Sequence, residues 1–142
     1  MERASWHCFL RALALEIDSR SDPAGRDTLL RAVGQQMARM MALPPVESLE
    51  ALELEMNMVL DRIGWGSTRL SVNESERCVS ITHNNLPRIG SAGEPAGAWL
   101  GAALEGLYEG WMGQQPGSDT SFGARRQGGG RADVLVLAYR RL

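Results

Sequence analysis

Lysine is absent from this 142-residue chain, and arginine supplies all fifteen of its basic side chains. A nucleotide-binding P-loop needs a lysine behind its glycines to reach the phosphates, so that class is excluded. Cysteine is nearly absent as well. Cys8 and Cys78 show no CxxC spacing and are too few for a disulfide framework. They read as ordinary buried thiols. With His7 and His83 they make four candidate zinc ligands, but no ligand spacing joins them, so no metal and no cofactor are expected. A basic excess is also missing. The net charge is -2, which argues against a nucleic-acid partner. Arg125, Arg126 and Arg131 lie in a Gly-rich stretch resembling an RGG segment, but aromatic interleaving there is limited to Phe122. Long apolar runs are lacking: no segment approaches the ~20 residues that span a bilayer. The opening "MERASWHCFLRALALEID" is interrupted by Arg11 and followed by Glu16 and Asp18, unlike a secretory signal. The expectation is a cytoplasmic protein that does not span the membrane.

What the chain does have is 44% hydrophobic residues, enough for one domain over 1–142 with a core of its own. Apolar steps of three and four predict a first helix from Ala4 to Ser19, with Trp6, Phe9, Leu10, Leu13 and Ile17 on one stripe. Asp22-Pro23 is an N-cap followed by proline at the first helical position. The helix it opens should run to about Ala42 and turn Leu29, Leu30, Val33, Met37 and Met40 inward. A third helix is expected from Ser48 to Ile63, closed by Gly64 in the left-handed conformation, with Trp65 folding back on its last turn. The methionines at 37, 40, 41, 56 and 58 read as core filler rather than metal ligands. "TRLSV" and "RCVSITH" alternate with period two around Asn73–Glu76, a hairpin. Leu70 shares a face with Val72, and Val79 and Ile81 share one with His83. A fourth helix is expected from Pro95 to Gln114 and a short strand around Ser121 to Arg126. The last strand, "DVLVLAYR", is apolar on both faces, so it should be central in the sheet or covered by a partner. The fold class is α+β: N-terminal helices, a β-hairpin, a long Gly-rich helix and a C-terminal strand in a small antiparallel sheet.

The glycines of "HNNLPRIGSAGEPAGAWLGAALEGLYEGWM" pose the functional question. Gly90, Gly93 and Gly97 are spaced three and then four apart, not as a dinucleotide fingerprint. Glu94 at the helix entrance occupies the position an anion would take and repels phosphate. The loop is therefore shaped for backbone geometry. Gly97, Gly101, Gly106, Gly110 and Gly113 cost the helix up to about 1 kcal/mol each. Small residues four apart point to a tight helix–helix contact, within one chain or between subunits. Trp99, Tyr108 and Trp111 on this helix read as core or interface in preference to sugar-stacking platforms. Glu105 and Glu109 stand one turn apart, roughly 6 Å between Cβ atoms. That overlaps the spacing of a glycosidase carboxylate pair, but acidic residues on a helix face are far commoner than catalytic ones. His83 is a candidate base without a nucleophile signature beside it, and reads as a strand-end histidine.

These stretches carry a resemblance. "LEID" (Leu15–Asp18), "IGWG" (Ile63–Gly66), "HNNLPRIGSAGEPAGAWL" (His83–Leu100) and "LEGLYEGW" (Leu104–Trp111) together resemble the cellulose synthase operon protein D family, over some four fifths of the chain. Its loop motif falls here on Asn85, Pro87, Gly90, Ser91, Gly93, Glu94 and Pro95. The resemblance implies a small α+β subunit without enzymatic activity that assembles as a cylindrical octamer, a tetramer of dimers. It implies a scaffold of a bacterial cellulose synthase complex, whose other subunits would be its partners. Such a scaffold organises terminal complexes so that glucan chains are exported and crystallise in order. It also implies passages for β-1,4-glucan lined by N-terminal segments, here Glu2, Arg3 and Trp6, and a position in the cytoplasm beneath the synthase, the periplasm being the alternative. The oligomer interface is expected at Gly97, Gly101, Gly106, Gly110 and Trp111 of the glycine helix and at Leu135, Leu137 and Tyr139 of the last strand. The alternative function is a polysaccharide-acting enzyme using Glu105 and Glu109.

Overall fold

Four helices and four strands follow one another as α1 (Glu2–Arg20), α2 (Pro23–Met40), α3 (Leu49–Ile63), β1 (Ser67–Asn73), β2 (Cys78–Asn84), α4 (Ala98–Gly113), β3 (Phe122–Arg126) and β4 (Val134–Arg141). The computed structural model describes residues 2–87, 98–128 and 134–142, with side chains at 8–87, 100–128 and 134–142. Local chemistry sets the helix ends. Asp22 Oδ1 accepts the Gly25 amide at 2.7 Å at the start of α2, and Ser48 Oγ accepts the Ala51 amide at 3.0 Å at the start of α3. Gly64 ends α3 at φ 73°, and the Trp65 amide turns back to the Leu60 carbonyl at 2.9 Å.

The strands form one antiparallel sheet in the order β1-β2-β4-β3. The two-faced strand β4 is central, between β2 and β3, the first of the two outcomes its pattern allowed. Cross-strand pairs put Ile81 opposite Leu137 and His83 opposite Leu135. These, with Leu70, Tyr139 and Ala124, face a core completed by Met56 and Leu60 of α3 and Leu104, Leu107, Tyr108 and Trp111 of α4. Val72, on the same face as Leu70, lies beyond this core at the sheet's end and is 63% exposed.

α4 lies between the sheet and α2. Its contact with α2 is backbone on backbone. A Cβ at Gly34 would stand 1.9 Å from the Ala103 carbonyl oxygen, and one at Gly106 would stand 1.8 Å from the Arg31 carbonyl oxygen. At Gly110 the neighbour is a side chain instead: a Cβ there would stand 2.6 Å from the methyl of Ala38. This corrects the inward face expected for α2. The buried positions are Arg26, Leu30, Gly34 and Ala38, a stripe of period four that narrows to small residues where α4 crosses; of the expected set Leu30 is buried and Met37 packs at the core's margin. Leu29, Val33 and Met40 instead point outward, Met40 being 82% exposed. Large side chains there would hold the two backbones apart. α1 departs likewise: among its described side chains Ala14 is buried, while Phe9 and Leu13 are exposed, and so is Cys8, which was expected to be a buried thiol.

Glutamines tie the α2–α3 connection to the end of α4. Gln114 donates to the Ala38 carbonyl at 2.8 Å and accepts the Leu43 amide at 3.1 Å. Gln115 accepts the Val46 amide at 3.0 Å. Trp111 donates its indole N–H to the Met41 carbonyl at 3.0 Å.

Candidate functional site

The acidic pair of α4 is where a catalytic reading would have to be built. Glu105 is 3% exposed. Its Oε1 accepts two bonds from Arg31, at 2.9 Å from Nη2 and 3.2 Å from Nε. Its Oε2 accepts the Arg126 amide at 2.8 Å and Arg126 Nε at 3.1 Å. One turn on, Glu109 Oε1 accepts the Ala124 amide at 3.1 Å and Arg125 Nη1 at 2.9 Å, and Oε2 accepts Gln35 Nε2 at 2.7 Å. All four oxygens are engaged. A general acid or nucleophile needs an oxygen that can reach a substrate, and here each is committed to the fold.

The spacing has a structural explanation. Residues four apart on a helix are separated by ~6 Å along its axis. Alternate residues of a strand are separated by ~6.7 Å. Glu105 and Glu109 are therefore matched to the amides of Arg126 and Ala124, which face away from β4 on an edge strand. The Phe122 amide, next in that row, bonds to the Asp119 carbonyl at 3.1 Å.

The opposite edge is closed by the same arrangement. On α3, Glu53 Oε1 accepts the Leu70 amide at 2.7 Å. Asn57, four residues later, accepts the Thr68 amide at 2.7 Å and donates to the Thr68 carbonyl at 3.0 Å. Both outer strands thus carry helix side chains where a further strand would pair. An uncovered edge is a template for another chain, and these polar pairs remove it along most of its length.

Behind β3 the carboxylates join an ionic network that spans several elements. Arg126 bridges Glu105 and Asp27, with its Nη2 2.8 Å from Asp27 Oδ2. Arg26 lies against both Asp18 and Asp27 at 3.4 Å. The network links α1, α2, α4 and β3 through charges that are partly or wholly withdrawn from water. Removing one partner of such a group leaves an uncompensated buried charge, at about 3–5 kcal/mol.

His83 is fully buried and holds the sheet to α4. Its Nε2 lies 2.6 Å from the Trp65 carbonyl oxygen, and its Nδ1 lies 2.5 Å from the Tyr108 hydroxyl. A carbonyl only accepts, so Nε2 carries the proton and Nδ1 accepts from Tyr108. Burial pushes the imidazole below its ordinary value, against the opposing pull of the Trp65 carbonyl. Burial also raises the Tyr108 phenol, with the Thr68 hydroxyl acting in the other direction. The histidine is a neutral core hydrogen-bonding group, in keeping with its reading as structural.

The structure gathers some of the expected site residues and separates others. Gly106 and Gly110 face α2 of the same chain, and Gly101 faces the Arg126 side chain. Trp111 and Leu137 are fully buried, Tyr139 is 8% exposed and Leu135 packs at the margin of the core. Gly106, Gly110, Trp111 and Leu137 are thus packed within the chain, while Tyr139 also borders open space. Asn85 takes a positive φ of 62° directly after β2. Gly66, at φ 87°, leaves room for the Asn84 and Asn85 carbonyls, so the two connections cross closely. Pro87 is partly buried. Gly90, Ser91, Gly93, Glu94, Pro95 and Gly97 lie outside the described residues. So do the side chains of Glu2, Arg3 and Trp6, whose backbone belongs to α1. Sequence reading missed Glu53, Asn57, Asp27 and Arg31, and met Arg126 only as part of an RGG-like stretch. The available signal was the repeated i, i+4 polar spacing of 53/57 and 105/109. Among the described residues no three His, Cys, Asp or Glu side chains are grouped to hold a metal, and no helix is long and apolar enough to cross a membrane.

A family model for the D subunit of cellulose synthase matches residues 1–140. The chain belongs to this family of cellulose synthase D subunits. Among its relatives, a cellulose synthase operon protein D of Komagataeibacter xylinus is 44% identical over 110 residues, which is 78% of this chain and 70% of the relative. The corresponding protein of Komagataeibacter sucrofermentans is also 44% identical over the same shares, and a further Komagataeibacter xylinus sequence is 43% identical. In this member of the family, then, the most buried charges of the glycine helix are fold-holding groups.

Proposed function

We propose that this chain is a non-catalytic structural subunit of a bacterial cellulose synthase complex, working as a homo-oligomer that orders nascent glucan chains for export and crystallisation. The match to the cellulose synthase D-subunit family over residues 1–140 carries this reading. The saturation of Glu105 and Glu109 by protein donors supports it over the enzymatic alternative.

The oligomer of this reading is an octamer, a tetramer of dimers. Closed edges on β1 and β3 argue against joining copies by strand addition. Leu29, Val33 and Met40, exposed at helical spacing along one side of α2, give an apolar surface that a second copy would bury. Glu2, Arg3 and Trp6 at the N-terminus are the proposed glucan contacts. The subunit sits at the cytoplasmic face of the synthase complex, and protease accessibility in spheroplasts separates this from a periplasmic position.

The test is deletion and complementation in a cellulose-producing host. Loss of the gene product should leave synthase turnover per complex intact while the cellulose loses ribbon order in electron micrographs. Light scattering of the purified protein should give eight times the 15.5 kDa chain mass, and Leu29→Glu/Val33→Glu should lower it. Release of products from cello-oligosaccharides, lost in Glu105→Gln or Glu109→Gln, would overturn the non-catalytic reading.

A further inference from the structure

β4 is hydrogen-bonded on both sides, and its inward side chains Leu135, Leu137 and Tyr139 meet the core. Its central place does not account for Val134, Val136 and Ala138, which alternate with them and point to the other face. The helices that pack on the sheet, α3 and α4, put their apolar residues on the core face. The second face is covered by neither. Strand pairing sets Arg69, Thr82 and Val136 in one row of this face, Ser71, Ser80 and Ala138 in the next, and Arg140 beyond them. Small side chains thus fill the middle, and none of the outward positions on the four strands is acidic. Arg69 and Arg140 are exposed and have no ion-pair or hydrogen-bond partner among the described residues. They stand ~16 Å apart on a diagonal, two strand spacings across and four residues along.

α3 carries the complement. Glu50, Leu54, Met58 and Asp61 are spaced four, four and three residues apart, so they form one stripe. All four are exposed. Leu54 and Met58 form its apolar middle, and the two carboxylates stand at its ends, ~16 Å apart along the helix. Neither carboxylate has a partner among the described residues. The stripe and the sheet face agree in three respects: opposite charge at both ends, apolar or small residues between, and the same span. Two sheet faces pressed together would instead set arginine against arginine, which disfavours an isologous pairing of this face.

We propose that α3 of one copy docks across the open sheet face of the next. Glu50 and Asp61 meet Arg69 and Arg140, and Leu54 and Met58 lie over the small side chains between them. The apolar middle supplies the burial, and the charged ends set register and partner. The inference rests on the proposed homo-oligomer and adds a second, different contact to it. Two unlike patches make a heterologous contact, which forms a ring when its rotation closes. Pairing through α2 gives a dimer, and the sheet–α3 contact links one dimer to the next.

The test is a charge swap on the full-length protein, read by light scattering. Arg69→Glu/Arg140→Glu and Glu50→Arg/Asp61→Arg should each reduce the mass from eight chains to two. All four substitutions in one chain should restore it, because the swapped charges again meet their opposites. An equimolar mixture of the two double variants should restore it as well. Either double variant holding the wild-type mass would overturn the contact and leave the oligomer intact. A quadruple variant that stays as small as the doubles would overturn the pairing of these residues. A wild type that is itself monomeric would overturn both this contact and the homo-oligomer on which it rests.

Discussion

Gly106 of α4 rests on the carbonyl oxygen of Arg31, so close that a Cβ at 106 would lie 1.8 Å from it. The glycine stripe of this helix is therefore explained by its own α2, where Gly34 and Ala38 give way in return. No rearrangement of a flexible side chain can relieve a contact with backbone. Gly106→Ala should destabilise the protein by about 2–3 kcal/mol through forced separation of the two helices. Gly113→Ala, which has open space at its Cβ, should instead be neutral or stabilising by up to about 1 kcal/mol. Urea denaturation of the two variants checks the pair.

Glu105 is the most heavily engaged acid of the described residues, with Arg31 and Arg126 both directed at it. Glu105→Ala should cost about 3–5 kcal/mol, because both guanidinium groups stay partly buried without their counter-charge. Glu105→Gln should cost less, since the amide oxygen can still accept the Arg126 amide. Thermal melts that rank the two variants in the opposite order would contradict this assignment.

Protonation of His83 opposes folding. Its folded-state pKa is lowered from 6.5 by burial, so below that value the unfolded chain binds a proton that the folded chain does not. Stability is then fully present above pH 6.5 and falls as pH drops below it. The slope is at most about 1.4 kcal/mol per pH unit for this one group. His83→Gln can still bridge the Trp65 carbonyl and the Tyr108 hydroxyl. Its stability should be nearly flat between pH 6.5 and 5.5 relative to the wild type, as read from denaturation midpoints.

Glu53 and Asn57 guard the β1 edge. Replacing both by alanine exposes the Thr68 and Leu70 amides on an outer strand. The double variant should aggregate at concentrations where the wild type remains clear, with light scattering rising over time. A destabilising control at Met56, whose side chain is fully buried, separates edge exposure from general unfolding: at matched stability the edge variant should aggregate faster.

Much of the fold was legible because local signals were strong. Asp22-Pro23, Ser48 and Gly64 mark helix ends by backbone chemistry alone. The two-sided apolar pattern of Val134 to Tyr139 called for a central strand or a covering partner, and the strand is central. The buried face of α2 was legible from hydrophobicity only at Leu30 and Met37, because close backbone approach selects Gly34 and Ala38 and turns Leu29 and Val33 outward. Apolarity and burial separate wherever packing is limited by space rather than by transfer from water. The role of Glu105 and Glu109 was hidden for a related reason. Their partners, Ala124 and Arg126, are backbone amides that any sequence could supply, so only the i, i+4 spacing was visible. Phe122 was seen as a lone aromatic in a Gly-rich stretch, and its pairing with Tyr139 depends on strand register.

Helix side chains close both edges of the sheet, and single-residue amide hydrogen exchange on the full-length protein tests this most directly. The Thr68, Leu70, Ala124 and Arg126 amides should be protected in the wild type, and Glu109→Ala should release Ala124 while leaving Leu70 protected. Rapid exchange of these four amides in the native protein would contradict it.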